Sequence, residues 1–226
     1  DPAQEVCVTA GVQEALFAIF QAWVDPGDEV LIPDPGFLSY ATMAKIAGAK
    51  TVPYDLEAPA WTIDVAALET KITKKTKLLI VNSPSNPLGA VIDELTLRAI
   101  AALADAHKIL VVFDEIYREI WYEAPPPSMM GMSPNVIVAN GMSKSHGMTG
   151  LRIGWVMGRA ELIKPIVSAH QYLATCASVF SQTLTELIFT AEDWNAAWLM
   201  RVREQFTRQR EAALASIEKE LGATIS

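Results

Sequence analysis

Seven short apolar segments, mostly rich in β-branched residues, alternate along the chain with longer segments of helical character. Such runs are typical of buried strands. Strands that alternate with helices favour a parallel sheet, because each connecting helix packs on a face of the sheet. We therefore predict an α/β fold: a doubly wound, mostly parallel seven-stranded sheet with helices on both faces. The predicted strands are Glu5–Thr9, Glu29–Pro33, Lys50–Tyr54, Lys77–Val81, Ile109–Asp114, Val136–Asn140 and Ile153–Met157.

Turn and capping residues set the bounds of the predicted helices. Asp93 is a predicted N-cap, and in the last helix Trp194 and Trp198 belong to one apolar face. The stretch 165–185 carries no charge, but its many polar side chains make it too polar to span a bilayer. We predict a helix, a loop and a second helix there. The other predicted helices are Val12–Trp23, Phe37–Ala47, Asp93–His107 and about Asp193–Leu221, which Gly222 ends.

Polar motifs follow three of the buried strands directly. Asn-Ser-Pro-Ser-Asn-Pro-Leu-Gly occupies residues 82–89, and Asp-Glu-Ile-Tyr occupies residues 114–117. The third motif contains Lys144 on a glycine-broken turn, with Arg152 eight residues later. Open α/β sheets bind ligands at the carboxyl ends of their strands, so these motifs predict a ligand site at that edge. A lone lysine in such a turn is usually only a solvated charge, but here it can be an amine beside an anion that Arg152 binds.

A possible anion site also follows the first predicted strand. Thr-Ala-Gly-Val-Gln, residues 9–13, ends that strand and opens a helix. The free N–H groups and the positive end of a helix dipole favour an anion at such a position. The alternative is an ordinary strand-to-helix turn without a ligand.

In the order and spacing of these motifs, nearly the whole chain resembles the class I/II aminotransferases, a family of fold-type-I pyridoxal-phosphate enzymes. The resemblance implies that pyridoxal 5′-phosphate is the cofactor and that Lys144 forms a Schiff base with it. It implies that the cofactor phosphate lies against the start of the helix and the Arg152 guanidinium. The residues implied at the phosphate are Gly11, Val12, Gln13, Ser143 and Arg152.

The resemblance assigns further residues to the cofactor ring. Asp114 would face the pyridine nitrogen and keep it protonated, although a strand-end aspartate can also simply cap a helix. Asn86 and Tyr117 would hydrogen-bond the phenolic oxygen. Phe37 would stack on the ring, unless it is only a core side chain. We interpret Tyr40 as a packing residue.

Two more positions bear on this site. Many relatives carry a serine three residues before the lysine, where this chain has Gly141, so the phosphate site is expected to have one hydroxyl fewer. His146 is close to Lys144 in sequence, but the family uses the released lysine for proton transfer. We therefore interpret His146 as a surface residue or a residue that lies behind the site.

The predicted function is transfer of an amino group between an amino acid and a 2-oxo acid. Alternatives are a pyridoxal-phosphate β-lyase, other chemistry at the α-carbon, and a non-catalytic aminotransferase-like ligand-binding domain. A dinucleotide-binding enzyme is disfavoured, because no Gly-x-Gly-x-x-Gly follows the first strand. Relatives are homodimers, and the uncharged stretch 165–185 is a candidate interface.

Composition agrees with an enzyme of this kind. The formal net charge of −8 argues against nucleic acid or an anionic membrane as a partner. Cys7 and Cys176 are too few and too far apart for a disulfide framework or a metal site, which favours a reducing, cytoplasmic location.

The resemblance also makes a prediction about domains. Family members carry an N-terminal segment and a C-terminal small domain beyond the part that matches here. Residues 1–226 are therefore expected to be the cofactor-binding large domain alone, with the helix 193–221 leading toward an absent small domain. The arginine that binds the substrate carboxylate in relatives belongs to that small domain, so the sequence does not indicate which amino acid is the substrate.

Overall fold

The computed structural model describes residues 1–222, without the side chain of Leu221. The last four residues of the predicted domain lie outside that range. One seven-stranded sheet runs through the described chain in the order β1-β7-β6-β5-β4-β2-β3. The strands are β1 Val6–Thr9, β2 Glu29–Asp34, β3 Lys50–Asp55, β4 Thr76–Asn82, β5 Leu110–Asp114, β6 Val136–Gly141 and β7 Gly154–Met157.

Strands β2 to β6 pair in parallel, whereas β7 runs antiparallel to both β6 and β1. The predicted α/β fold with a mostly parallel sheet is therefore confirmed. Each predicted strand differs from the observed one by at most one residue at either end. The short apolar runs located the central strands β4, β5 and β6 well because burial on both faces demands continuous apolar sequence.

The described chain also contains eight α-helices and one short 3-10 helix, Thr149–Leu151. The capping prediction is confirmed at Asp93, whose carboxylate accepts the Thr96 N–H. The α-helices are α1 Pro2–Glu5, α2 Val12–Trp23, α3 Leu38–Ile46, α4 Val65–Thr70, α5 Glu94–His107, α6 Ala160–Leu173, α7 Val179–Thr190 and α8 Glu192–Leu221.

Helices α3 and α6 start elsewhere than predicted, and neither α1 nor α4 was predicted. Helix α3 starts at Leu38 because Phe37 is its N-cap, with extended backbone. Helix α6 starts at Ala160, before the predicted stretch, and contains Pro165 in its interior. Helix α4 was not predicted: it has six residues, too few for a helical period, and is held by the Asp64 cap.

Two apolar layers cover the sheet, one on each face. The first layer packs α2, α3 and α6 against one face, and the second packs α4 and α5 against the other. Helices therefore lie on both faces, as predicted for a doubly wound sheet. Among the described residues, no helix combines the length and the apolar character that crossing a bilayer requires.

Parallel pairing brings three strand ends to one edge of the sheet. Asn82 at the end of β4 is the register partner of Asp114 at the end of β5, and Asp114 pairs in turn with Ala139 of β6. The polar motifs that follow these strands therefore meet in space, although they are far apart in sequence.

Candidate active site

A cavity of about 320 Å³ opens at the carboxyl ends of β4, β5 and β6, beside the start of α2. The predicted site residues meet there. Nine of the ten line the cavity: Val12, Gln13, Phe37, Asn86, Asp114, Tyr117, Ser143, Lys144 and Arg152. The tenth, Gly11, packs directly against the Arg152 guanidinium.

One part of the cavity, which we call the Arg152 end, is made of Gly11, Val12, Gln13, Ser143 and Arg152. Gly11 is the N-cap of α2 and has φ +89°, a conformation that favours glycine. A β-carbon at Gly11 would lie 2.7 Å from Arg152 Nη2, so the guanidinium would have to move away. The glycine therefore allows the guanidinium to lie over the start of the helix, where two sources of positive potential coincide.

Strand β6, strand β7 and the start of α2 approach backbone to backbone behind this end. A β-carbon at Gly141 would lie 2.9 Å from the Ile153 carbonyl oxygen, and one at Gly154 would lie 2.6 Å from the Val12 nitrogen. The close approach leaves no room for a side chain at residue 141. Glycine at residue 141 is therefore what allows the strands and the helix start to approach this closely.

The opposite part, which we call the Asp114 end, is made of Tyr40, Asn82, Asn86, Asp114 and Tyr117. Asp114 is 3% exposed, and its carboxylate accepts the Tyr40 hydroxyl at 2.8 Å and the Ile116 N–H at 3.1 Å. Burial raises the pKa of Asp114, while the two hydrogen bonds and the charge of Lys144 oppose that rise. A carboxylate in this setting gains from a cationic or proton-bearing partner in the cavity.

Tyr40, interpreted from the sequence as a packing residue, is indeed packed in the core, but it also has a polar role that the sequence did not reveal. Its side chain is 1% exposed and donates the hydrogen bond to Asp114. Its ring also meets Phe37 edge to face, with centroids 5.5 Å apart. Tyr40 follows Phe37, the N-cap of α3, by three residues, and this spacing is the signal that could have placed both side chains on the cavity side.

Asn82 was not predicted as a site residue either, although it lines the cavity. Its amide donates to the Asp114 carbonyl at 2.9 Å, and its side-chain oxygen accepts the Asn86 N–H at 2.7 Å. Asn82 thus ties the loop that carries Asn86 to the end of β5. The Asn86 amide in turn reaches the Tyr117 hydroxyl at 3.4 Å.

Lys144 lies between the two ends of the cavity. It follows β6 in the loop that leads to Arg152, and its Nζ is 5.5 Å from the centroid of the Tyr117 ring. The side chain is exposed, so a ligand entering the cavity can reach the amine. His146, two residues on, instead stacks on Trp198 and contacts Asn195 of α8 at 2.8 Å, as expected for a residue behind the site.

The sequence profile described as "Aminotransferase class I and II" matches residues 1–226. The chain belongs to the class I and II aminotransferase family. Among curated family members, the probable aspartate aminotransferase of Methanocaldococcus jannaschii is 40% identical over 183 residues, which is 78% of this chain and 48% of that protein. The probable N-acetyl-LL-diaminopimelate aminotransferase of Bacillus subtilis is 37% identical over 183 residues, 80% of this chain and 47% of that protein.

Solved aminotransferase structures share the fold. The structure of Thermus thermophilus aspartate aminotransferase with maleate superposes with a TM-score of 0.93 at 36% identity, covering 97% of this chain and 58% of that one. The chain thus spans about half the length of the curated relatives it matches. The resemblance inferred from the motifs is confirmed at the level of family and fold.

Proposed function

We propose that this chain is the cofactor-binding part of an aminotransferase that uses pyridoxal 5′-phosphate to transfer an amino group between an amino acid and a 2-oxo acid. One observation carries the proposal. An amine, a buried carboxylate and a guanidinium, from Lys144, Asp114 and Arg152, line the same cavity. Those three groups suit the aldehyde, the ring nitrogen and the phosphate of this cofactor, and family membership supports the assignment.

The Arg152 end suits a phosphate. The first N–H groups of a helix have no carbonyl partner within the helix, and they carry the positive end of its dipole. Arg152 adds a planar, permanently charged donor that can bind a phosphate through two hydrogen bonds. The proposed phosphate site is completed by the Ser143 hydroxyl and by Gly11, which has no side chain and so leaves space for the guanidinium.

The Asp114 end suits a protonated pyridine ring. Asp114 would hold a proton on the ring nitrogen, and Tyr40 fixes the carboxylate from behind through its hydrogen bond. Phe37 lines the same cavity and offers an aromatic face for the ring. Asn86 and Tyr117, already within hydrogen-bonding reach of each other, would donate to the phenolic oxygen.

When bound, pyridoxal phosphate supplies an electron-accepting ring that stabilises negative charge at the α-carbon of an amino acid. Lys144 would hold the cofactor through its amine. After an incoming amino acid releases it, the Lys144 amine would carry a proton to and from the α-carbon as general base and acid. Its position between the two ends of the cavity suits both roles.

The proposal includes a homodimer. The segment from α6 to α7 exposes large apolar side chains, with Tyr172 88% exposed and Phe180 69% exposed. Exposed apolar groups of this kind are typical of surfaces that a partner covers. Sedimentation of the full-length protein tests this, with a monomer at micromolar concentration as the contrary result.

A cytoplasmic location is also proposed. Both cysteines are free thiols, Cys7 buried and Cys176 exposed, which suits a reducing compartment. Fractionation of cells that make the tagged full-length protein tests the location.

The activity is tested with full-length protein, pyridoxal phosphate, 2-oxoglutarate and a panel of amino acids. Aspartate comes first in the panel, because a relative's name refers to it. The expected result is a 2-oxo acid formed in step with glutamate. Release of ammonia with a 2-oxo acid but without glutamate would instead indicate a lyase, and the absence of any turnover would favour a ligand-binding role.

A further inference from the structure

A second pair of ionisable side chains lies behind the Arg152 end of the cavity. Glu14 is in the first turn of α2 and His170 is near the end of α6, and their side chains are only 16% and 9% exposed. His170 Nδ1 lies 3.1 Å from both carboxylate oxygens of Glu14. Because a carboxylate only accepts, Nδ1 donates, so the pair has a defined orientation.

Glu14 also holds the backbone just before the proposed phosphate site. Its Oε2 accepts the Ala10 N–H at 3.1 Å. Ala10 is followed by Gly11, the residue that packs against Arg152, and the Thr9 hydroxyl donates to the Gly11 carbonyl at 3.2 Å. The carboxylate therefore fixes one side of the turn whose conformation admits the guanidinium.

This arrangement has an electrostatic consequence. A carboxylate in the first turn of a helix competes with a bound anion for the positive end of the same dipole. Glu14 avoids much of that competition because its carboxylate points back to Ala10 and His170. The hydrogen bond from His170 thus holds the Glu14 carboxylate where it shapes the 9–11 turn instead of opposing a bound anion.

The pair is not what holds α2 and α6 together. Apolar side chains of both helices, among them Ile19, Phe20 and Ile163, are fully buried in one cluster. Toward the other end of the contact, the Trp23 indole donates to the Leu162 carbonyl at 3.2 Å. Losing the Glu14–His170 contact should therefore leave the helix packing in place and loosen mainly the 9–11 turn.

We propose that Glu14 and His170 are positioning residues that shape the phosphate site and so set how much the phosphate contributes to cofactor affinity. This inference rests on the proposed pyridoxal-phosphate function. Neither side chain lines the cavity, so both act through the backbone of Ala10 and Gly11.

The test compares pyridoxal phosphate with pyridoxal, which lacks the phosphate, in dissociation constants of the full-length protein. Glu14→Ala is expected to lower affinity for pyridoxal phosphate about tenfold, the order of one lost hydrogen bond to a charged group, and to change pyridoxal affinity less than about twofold. Glu14→Gln keeps an acceptor for Ala10 and should retain most of the preference.

A second pair of variants, at His170, keeps the proposal testable if Glu14→Ala does not fold. His170→Phe removes the donor and should weaken the preference for the phosphate, whereas His170→Gln keeps a donor and should weaken it less. Glu69→Ala, which breaks the exposed Glu69–His107 pair between α4 and α5, is the matched control and should change neither constant.

The outcomes separate the two proposals. If the unaltered protein shows no preference for pyridoxal phosphate over pyridoxal, the proposed function is wrong. If the unaltered protein shows the preference and both Glu14→Ala and His170→Phe keep it, the function stands and this inference is wrong. An equal loss of affinity for pyridoxal phosphate and for pyridoxal would likewise contradict this inference, because a purely structural role of the pair would give that result.

Discussion

The Arg152 end and the Asp114 end of the cavity are built in different ways. At the Arg152 end, glycines let backbone and guanidinium approach closely, as at Gly11 and Gly154. At the Asp114 end, a buried residue is held by side chains from other elements. Tyr40 on α3 donates to the Asp114 carboxylate, and Asn82 on β4 donates to the Asp114 main-chain carbonyl. The Arg152 end depends on glycines that carry no side chain, whereas the Asp114 end depends on side-chain hydrogen bonds. Substitutions at the two ends should therefore impair different properties of the protein.

Lys144 lies between the ends, and its loss should have the largest effect on turnover. For Lys144→Ala we expect transamination by the full-length protein to fall about 10⁴-fold, since the general base is removed. Both ends remain, so the protein should still bind pyridoxal phosphate. Steady-state rates together with an absorbance titration measure this, and near-normal turnover would place the catalytic amine elsewhere.

Asp114→Asn tests the Asp114 end. The amide keeps the shape but cannot hold a proton on the ring nitrogen, so turnover should fall about 10²- to 10³-fold, as when one key electrostatic group is removed. Affinity for the cofactor should change much less, because the Arg152 end is intact. A loss confined to affinity, with turnover preserved at saturating cofactor, would contradict this division of roles.

Gly11→Ala tests the Arg152 end. The new β-carbon would displace the guanidinium, so affinity for pyridoxal phosphate should fall by about 1.5–3 kcal/mol, the order of hydrogen bonds to a charged group. Gly131→Ala is the matched control: its φ is +77°, but nothing lies within 4 Å of the added carbon. Both variants should lose stability to unfavourable backbone, while only Gly11→Ala should lose affinity.

Tyr40→Phe should have the smallest effect, and one that depends on pH. Tyr40 lowers the pKa of Asp114, which burial raises, so the variant should raise that pKa further. A raised native pKa means that stability is lost as pH rises, from the unfolded pKa of about 3.9 upward to the native pKa. The unliganded variant should therefore be less stable than the parent by about 1–2 kcal/mol at neutral pH, with a smaller difference near pH 4.

Tyr54→Phe is the control for that prediction. Tyr54 is buried to a similar degree, but its hydroxyl donates to the Ile80 carbonyl rather than to a carboxylate. Its stability deficit, measured by urea unfolding, should stay constant across the same pH range. A deficit for Tyr40→Phe that is equally flat would show that Tyr40 does not influence the titration of Asp114.

The residues of the Arg152 end were easier to predict from the sequence than those of the Asp114 end. The central strands were predictable because both of their faces are buried, and the residues of the Arg152 end stand in short motifs with fixed spacing. Tyr40 and Asn82 were missed because their partner, Asp114, is 74 and 32 residues away in sequence. Hydrogen bonds over such separations depend on the register of packed elements, which no local pattern contains.

Short elements and helix starts were also hard to predict. Helix α4 depends on the Asp64 cap rather than on an apolar period, and α6 begins five residues before the uncharged stretch that suggested it. For α4 the missed signal is that local cap, whereas the first turn of α6 is packed in the core through Leu162 and Ile163.

The most direct test of the central claim is reduction of the purified full-length protein with sodium borohydride in the presence of pyridoxal phosphate, followed by peptide mass spectrometry. Because Lys144 is the amine placed between a proposed phosphate site and a proposed ring site, the phosphopyridoxyl label should be found on Lys144, and the Lys144→Ala variant should remain unlabelled. A label on another lysine, or none on protein saturated with cofactor, would contradict the assignment.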